Sequence, residues 1–205
     1  MYHPVRKVQV FYNLDQMKQN NIEQILSAHS VIPVVTIHSL DEVDSIIESL
    51  IAKNIRVIEV TLRTEVAFKA IKNMKTSYAK EMCIGVGTVV NVDQMNEAQL
   101  AGVDFIVCPG LEENLILELQ KSGIPFIPGV ATPSEIMQGM QLGCSVLKFF
   151  PANLYGGMEA LKTYSQVFPS VQFCPTGGIT EETHLSYLEL KNVISVGGSW
   201  MMKKG

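Results

Sequence analysis

Eight short apolar segments recur along the chain, separated by longer stretches in which apolar and polar residues alternate with a helical period. The segments begin at residues 31, 56, 82, 104, 125, 145, 171 and 193, so successive starts lie 20 to 26 residues apart. Such an interval holds one strand, one helix and two short connections, and it is too long for a hairpin. The near-continuous Val and Ile content is typical of a parallel sheet that is buried on both faces.

The stretches between the segments carry the start and stop signals of helices. Residues 39–53, SLDEVDSIIESLIAK, open with a Ser-x-x-Glu capping pattern and place their apolar side chains on one stripe. Two later stretches end at Gly102 and Gly123, and glycine is a common residue at helix ends. A further helix is predicted in NNIEQILSAH, residues 20–29, before the first strand.

Eight strand–helix units favour an α/β fold of the closed (β/α)8 TIM barrel type over an open doubly wound sheet. A chain of 205 residues with 47% hydrophobic content is long enough to bury a substantial core. No linker divides it, so we expect a single barrel domain over residues 1–205, with residues 1–30 forming an N-terminal extension and the extra helix.

Composition excludes several classes of partner. The formal net charge is −4 and Lys and Arg do not cluster, which argues against nucleic acid, because a phosphate backbone requires a basic face. No apolar run approaches the roughly 20 residues of a membrane helix, and the N-terminus lacks the apolar core of a secretory signal, so we expect a cytoplasmic protein. The four cysteines and four histidines form no CxxC, HxH or HExxH pattern, and we expect no metal site.

Two charged residues stand inside otherwise apolar segments. Lys148 lies within SVLKFF and Glu59 within RVIEVTL. Active sites of barrels lie at the C-terminal ends of the strands, where such side chains become available for chemistry. A neutral lysine amine among apolar neighbours suits Schiff-base formation with a ketone, and a buried carboxylate suits proton transfer. The alternatives are a lysine that only contacts an anion or reaches solvent, and a structural ion pair between Glu59 and Arg63.

Two glycine pairs follow the last two predicted strands. They are Gly177-Gly178 and Gly197-Gly198. Glycine lets backbone N–H groups approach an anion closely, and a short helix that starts behind it adds its positive end. A phosphate site after strands seven and eight recurs in TIM barrels, so we predict phosphate binding there in preference to two simple tight turns.

Seven motifs, in this order and spacing between about Ser30 and Trp200, resemble the 2-keto-3-deoxy-6-phosphogluconate (KDPG) aldolase family, which includes the KHG/KDPG aldolases. The motifs are RVIEVTLRT, GVGTV, CPG, IPGVATPSEI, LKFFPAN, CPTGGI and VGGSW. The resemblance implies a class I aldolase without metal or other cofactor, which splits KDPG into pyruvate and glyceraldehyde 3-phosphate. It further implies a possible second substrate, 4-hydroxy-2-oxoglutarate, and a homotrimer.

The resemblance also implies a role for individual residues. Lys148 forms the Schiff base with the C2 ketone, and Glu59 is the general acid and base. Arg63 and Thr88 hold the pyruvate carboxylate, for which an arginine fork offers two parallel hydrogen bonds. The other implied contacts are pocket walls at Pro109 and Phe150, substrate hydroxyls at Thr176, and a phosphate cradle of Gly177, Gly178, Gly197, Gly198 and Ser199.

Two departures from the family and three alternatives accompany this interpretation. The sequence ends at Gly205, where the family continues into a closing helix, so we expect a truncated last helix, and the stretch before residue 20 is longer than usual. The alternatives are the galactonate-derived epimer aldolase, a different phosphate-binding barrel enzyme such as an isomerase or a thiamine-phosphate-type synthase, and a non-catalytic phospho-sugar binding protein. Thr176 looks more like the KDPG branch than the epimer branch.

Overall fold

In the computed structural model, which describes Gln19 and residues 21–202, short parallel strands alternate with helices. The strands are β1 Val31–Val35, β2 Val57–Thr61, β3 Cys83–Gly87, β4 Phe105–Val107, β5 Phe126–Ile127, β6 Gly129–Val130, β7 Val146–Phe149, β8 Gln172–Pro175 and β9 Val196–Gly198. The helices are α1 Ile22–Ala28, α2 Val43–Ala52, α3 Ala67–Tyr78, α4 Val92–Ala101, α5 Glu113–Ser122, α6 Pro133–Gln141, α7 Gly157–Val167 and α8 His184–Leu188. Every predicted apolar segment therefore contains a strand, and the predicted extra helix is α1.

The strands form a curled parallel sheet. Six of them are hydrogen-bonded in the order β5-β4-β3-β2-β1-β9, and β6, β7 and β8 form a second run. The predicted fifth segment is divided into β5 and β6 at Pro128, because proline has no N–H to donate to a neighbouring strand. Two isolated parallel bridges, Phe173 with Val193 and Thr176 with Gly197, connect β8 to the β9 side.

Apolar side chains fill two layers. The larger core lies between the strands and the surrounding helices, and it includes Ile47 and Leu50 of α2, both on the predicted stripe. The smaller core lies on the opposite face of the strands, where Val57, Phe105 and Val146 pack together. Because successive strand residues point to opposite faces, Glu59 and Lys148 fall on the same face as this smaller core.

Helix α1 packs against the smaller core near the start of several strands. Its Ile22 and Leu26 are almost fully buried among the side chains of that core. Immediately before the helix, the Gln19 amide binds the first residue of β7: its Nε2 donates to the Val146 carbonyl over 2.6 Å, and its Oε1 accepts from the Val146 N–H over 2.7 Å. This end of the sheet is thus covered, and the C-terminal ends of the strands remain for a site.

The predicted helix signals are largely present. Gly102 and Gly123 end α4 and α5 with φ of 69° and 77°, in the left-handed region that favours glycine. The Ser39–Glu42 capping pattern differs in detail from the prediction. A 3-10 turn over Leu40–Glu42 precedes α2, and the Glu42 carboxylate accepts from the N–H of His38 instead of that of Ser39.

The structure describes the two ends of the chain only in part. A 3-10 turn over Trp200–Met202 follows β9, so the prediction of a truncated last helix concerns the chain beyond that turn, where residues 203–205 lie outside the described range. Most of the predicted N-terminal extension, residues 1–18 and 20, also lies outside it. None of the helices in the described part of the chain is long and apolar enough to cross a membrane.

Candidate active site

Lys148 of β7 and Glu59 of β2 form a buried ion pair. Lys148 Nζ lies 3.3 Å from Glu59 Oε1, and the two side chains are only 7% and 4% exposed. The alternative of a structural pair between Glu59 and Arg63 is therefore wrong, because the partner is Lys148. The pair borders a narrow void of about 10 Å³, which has room for about one water molecule.

Glycine in β3 makes room for the carboxylate. A Cβ atom added at Gly87 would overlap Glu59 Oε1 and would lie 2.7 Å from Cδ and 2.8 Å from Cγ of the same side chain. Deeper in the same strand, a Cβ at Gly85 would overlap the Phe105 ring. The glycines of the GVG motif are therefore required by the space that Glu59 and Phe105 occupy.

Phe150 and Thr176 lie beside the ion pair. The Lys148 amine lies 5.0 Å from the centroid of the Phe150 ring, within the distance of a cation–π contact. Thr176 is buried, and it borders both the narrow void and a larger cavity of about 840 Å³ above it. The two spaces are therefore neighbours, and Thr176 stands at the boundary.

The larger cavity brings together most of the predicted substrate and phosphate residues. Those that line it are Arg63, Phe150, Thr176, Gly177, Gly178, Gly198 and Ser199. Gly197 is not among them. It is buried beneath Thr176, since a Cβ there would overlap the Thr176 hydroxyl. Gly197 thus leaves space for the Thr176 side chain, a role that the sequence pattern did not indicate.

The backbone after β8 turns sharply at the first glycine pair. Gly177 and Gly178 have φ of 99° and 69°, a conformation that residues with a Cβ rarely adopt. A helix directly behind this pair was expected, but α8 starts only at His184. A 3-10 turn at Trp200–Met202 does follow Ser199 closely. Backbone N–H groups of the turn, and not a helix end, are what an anion would meet at Gly178.

Thr88 and Pro109 lie at the ends of β3 and β4, outside the lining of the larger cavity. Thr88 has φ of 67°, which is strained for a β-branched residue. Pro109 packs against Gly129, where an added Cβ would overlap the Pro109 carbonyl group. Both residues are half-buried. A strained backbone such as that of Thr88 costs energy and persists only where the surrounding structure holds it in place. Such residues are concentrated at functional sites.

Two cysteines lie near the ion pair as neutral thiols. Cys174 pairs in register with Lys148, and burial raises the pKa of its thiol to about 12. Burial likewise raises the pKa of Cys108 to about 12. With their pKa values raised, both cysteines are neutral thiols at neutral pH and poor nucleophiles. Within the described residues, no group of three or more His, Cys, Asp or Glu side chains could hold a metal ion.

Several residues that line the larger cavity were not predicted from the sequence, and Thr36 is one of them. Thr36, just beyond β1, lines the larger cavity, and its hydroxyl lies 2.8 Å from that of the fully buried Thr61. Alternation after Ile32 and Val34 puts Thr36 on the same strand face, which is the only signal the sequence offers. Alternation does not reveal a hydroxyl contact between two strands.

Comparison with known proteins identifies the family. The family model "KDPG and KHG aldolase" matches residues 22–205. The chain belongs to this aldolase family. Among its relatives, the 2-dehydro-3-deoxy-phosphogluconate aldolase of Dickeya dadantii is 42% identical over 184 residues, which is 90% of this chain and 86% of that protein. The KHG/KDPG aldolase of Escherichia coli K12 is 41% identical over the same shares of both chains.

Solved structures of aldolases in this family share the fold. The KDPG aldolase of Legionella pneumophila, with pyruvate captured as a covalent carbinolamine intermediate, is 45% identical and has a TM-score of 0.85 over 88% of this chain and 87% of that one. The Zymomonas mobilis KDPG aldolase with 3-phosphoglycerate is 41% identical, with a TM-score of 0.85 over 91% and 88%. A KDPGal structure is 24% identical with a TM-score of 0.75 over 82% and 81%, and it shows the fold alone.

Proposed function

We propose that the chain is a class I aldolase that cleaves KDPG to pyruvate and glyceraldehyde 3-phosphate. The observation that carries the proposal is the buried pair of Lys148 and Glu59, 3.3 Å apart, beneath a cavity lined by Arg63 and a glycine turn. A lysine in this setting is a nucleophile for a ketone, and the carboxylate beside it is a proton carrier. Cleavage of 4-hydroxy-2-oxoglutarate to pyruvate and glyoxylate needs the same pair and is a second proposed activity.

The first half of the reaction forms the imine. Lys148, an ammonium in the resting ion pair, first gives a proton to a water molecule, and the neutral amine attacks C2 of the substrate. The hydroxyl of the resulting carbinolamine takes a proton back from that water and leaves as water, which gives an iminium. The void beside the pair is about 10 Å³, which is too small for pyruvate, so the lysine extends toward the larger cavity or the Phe150 ring turns aside. The iminium then withdraws electrons from the bond between C3 and C4.

The second half breaks the carbon–carbon bond. Glu59 takes the proton of the C4 hydroxyl, directly or through one water, and the C3–C4 electron pair moves to C3 as an enamine. C4 leaves as the aldehyde carbon of glyceraldehyde 3-phosphate. Glu59 returns the proton to C3, and water hydrolyses the imine to release pyruvate and the free amine. One carboxylate can serve both proton transfers because it lies within reach of the reacting amine.

The remaining residues are proposed to bind the two ends of the substrate. Arg63, which is exposed at the cavity, binds the carboxylate together with Thr88 at the end of β3, and Pro109 and Phe150 form walls. Thr176, on the boundary between the void and the cavity, contacts the C4 oxygen. The phosphate is assigned to the cradle at Gly177, Gly178, Gly198 and Ser199, with Gly197 supporting it from below.

Further proposals concern the architecture, assembly, location and substrate stereochemistry of the protein. The bridges between β8 and β9 and the single break at Pro128 favour a closed (β/α)8 barrel that forms one domain over residues 1–205. We also propose a homotrimer that acts in the cytoplasm on small-molecule substrates. The C4 configuration is proposed to be that of KDPG, since Thr176 resembles the KDPG branch more than the galactonate-derived epimer branch.

Borohydride trapping with pyruvate tests the covalent mechanism. Reduction of the imine should leave a stable pyruvate adduct on Lys148, found by intact mass and peptide mapping. Lys148→Ala should lose both the adduct and KDPG cleavage. Lys53 also lines the larger cavity, where its Nζ donates to the Met201 carbonyl over 3.0 Å, so Lys53→Ala is the matched control and should keep the adduct. An adduct on Lys53, or cleavage that survives Lys148→Ala, would contradict the mechanism and favour another phosphate-binding barrel enzyme or a binding protein.

A further inference from the structure

A pair of threonine hydroxyls lies one layer above the catalytic pair. Val34 of β1 is in register with Glu59 of β2, so the next inward-facing positions toward the mouth are Thr36 and Thr61. Their hydroxyl oxygens are 2.8 Å apart. Thr61 is fully buried, whereas Thr36 is half-buried and faces the larger cavity. Only Thr36 can therefore touch a bound molecule.

The directions of the two hydrogen bonds follow from the acceptor at their far end. Thr61 Oγ1 also lies 3.2 Å from the carbonyl oxygen of Val35, which can only accept, so Thr61 is the donor there. Either hydroxyl can donate in the 2.8 Å contact between the threonines, but a hydroxyl has one hydrogen, so the arrangement that keeps both hydrogen bonds is the one in which Thr36 donates to Thr61. Thr36 has no hydrogen left for the cavity. What it offers to a ligand is a free lone pair, and the matching ligand group is a hydroxyl that donates.

The position of Thr36 selects which hydroxyl that is. Strand β1 lies between β2, which carries Glu59, and β9, which ends at the Gly198 side of the phosphate cradle. Thr36 thus lies between the reacting carbon and the phosphate. In the proposed substrate this stretch bears hydroxyls at C4 and C5, and the mechanism assigns the C4 oxygen to Glu59 and Thr176. The hydroxyl at C5 is the donor without a partner.

We propose that Thr36 accepts a hydrogen bond from the C5 hydroxyl of the substrate, and that Thr61 is a positioning residue that holds Thr36 in the accepting state. The assignment rests on the proposed aldolase function and deepens it. Its consequence is selectivity for phosphorylated aldehydes that carry a hydroxyl next to the carbonyl, since the same group becomes the C2 hydroxyl of glyceraldehyde 3-phosphate.

The test compares two aldehydes in condensation with pyruvate. D-glyceraldehyde 3-phosphate carries the hydroxyl, and 3-phosphooxypropanal has the same length without it, while both generate the C4 hydroxyl during reaction. We expect the native enzyme to favour glyceraldehyde 3-phosphate in kcat/KM by about tenfold, a moderate value because Thr36 is only half-buried. Thr36→Val should remove most of this preference, and Thr36→Ser should keep it.

Three variants separate selectivity from folding. Thr36→Val conserves shape and leaves Thr61 its bond to the Val35 carbonyl, so the buried hydroxyl keeps an acceptor. Thr61→Val should give an intermediate preference, because Thr36 then has a hydrogen free to point either way, and Thr61→Ser should restore the native ratio. Because the readout is a ratio between two aldehydes, a general loss of folded enzyme does not move it.

Each outcome decides between the two proposals. Native enzyme that forms the pyruvate adduct but does not prefer the hydroxylated aldehyde overturns the assignment of Thr36 alone, without any variant. An equal loss with both aldehydes in Thr36→Val also overturns it, and points to contact with the phosphate or the C4 oxygen. Absence of the pyruvate adduct in native enzyme removes the aldolase function itself, and the Thr36 assignment with it.

Discussion

Gly87→Ala is expected to inactivate the enzyme by moving one carboxylate. Gly87 is the last residue of β3, and its φ is not in the left-handed region, so alanine fits the backbone. What alanine cannot do is share space with Glu59. The added Cβ would overlap Oε1, which is the oxygen that faces Lys148 Nζ at 3.3 Å.

The size of the effect follows from the contacts. The new Cβ would overlap Glu59 Oε1 and would lie 2.7 Å from Cδ and 2.8 Å from Cγ, whereas ordinary contact begins at 3.4 Å, so the carboxyl group must move by more than 0.7 Å, the difference of 3.4 and 2.7 Å at Cδ alone. A displacement of about 1 Å in a catalytic group can cost about 100-fold in rate. We therefore expect kcat for cleavage to fall by about 10- to 100-fold, together with about 1–3 kcal/mol of stability from overpacking.

Two assays separate the carboxylate from the lysine. Exchange of the pyruvate methyl protons with deuterated water, followed by NMR, requires the proton carrier. Borohydride trapping requires the imine. Gly87→Ala should slow the exchange by the same factor as cleavage and leave the yield of the trapped adduct nearly intact. Glu59→Gln should show the same division, because it removes the proton carrier while Lys148 remains.

A double-mutant cycle tests whether Gly87→Ala acts through Glu59. If Gly87→Ala acts through Glu59, then adding it to Glu59→Gln should lower the exchange rate little further. Additive losses would mean that alanine damages the site by another route. Normal exchange in folded Gly87→Ala would contradict the spatial argument altogether, because the carboxylate would have found equivalent geometry elsewhere.

Two further predictions concern stability. Burial of the Glu135 carboxylate raises its pKa, but hydrogen bonds from the N–H groups of Ala131 and Thr132 and from the Thr132 hydroxyl outweigh burial and leave the pKa below 4.5. A lowered folded-state pKa adds stability above the unfolded value, so Glu135→Gln should lose about 0.5–1 kcal/mol at pH 7, measured by urea unfolding. That loss should be complete above pH 4.5 and should vanish as the pH falls from 4.5 through the lower folded-state pKa; a loss independent of pH would contradict the argument. Gln19→Leu should cost about 2–3 kcal/mol, because it leaves the buried N–H of Val146 without its acceptor, and an unchanged urea midpoint would show that Gln19 is not docked.

The positions of the strands and the ends of the helices could be predicted from the sequence because they depend on local signals. Val and Ile runs, the glycines at 102 and 123, and the spacing of the segments each act over a few residues. The division of the fifth strand at Pro128 was equally local, since a proline lacks the N–H, although the break itself was not predicted.

Contacts between side chains on different strands could not be predicted from the sequence. The pattern put Lys148 and Glu59 inside two apolar segments near the strand ends, but only the fold brings them to 3.3 Å, and only it shows that Lys148, not Arg63, is the partner of Glu59. The roles of Gly87 and Gly197 depend on which side chain stands opposite each glycine. Thr36 is a single hydroxyl-bearing residue in an apolar run, and the hydrogen bond that its hydroxyl makes depends on Thr61 in another strand.

Because α1 covers one end of the sheet, we expect pyruvate and the aldehyde to bind and leave in a fixed order. Ile22 and Leu26 pack in the smaller core, Leu26 borders the void at Lys148, and the larger cavity lies beyond Thr176. From the described residues we therefore expect substrates and products to pass on the Thr176 side. In the proposed mechanism, the pyruvyl group is attached to Lys148 and the phosphorylated aldehyde lies in the larger cavity, nearer the exit. The aldehyde must therefore depart before pyruvate is released, and in the synthetic direction pyruvate must bind before the aldehyde arrives. We therefore expect the steady-state kinetics of condensation to show a compulsory order, with pyruvate binding first.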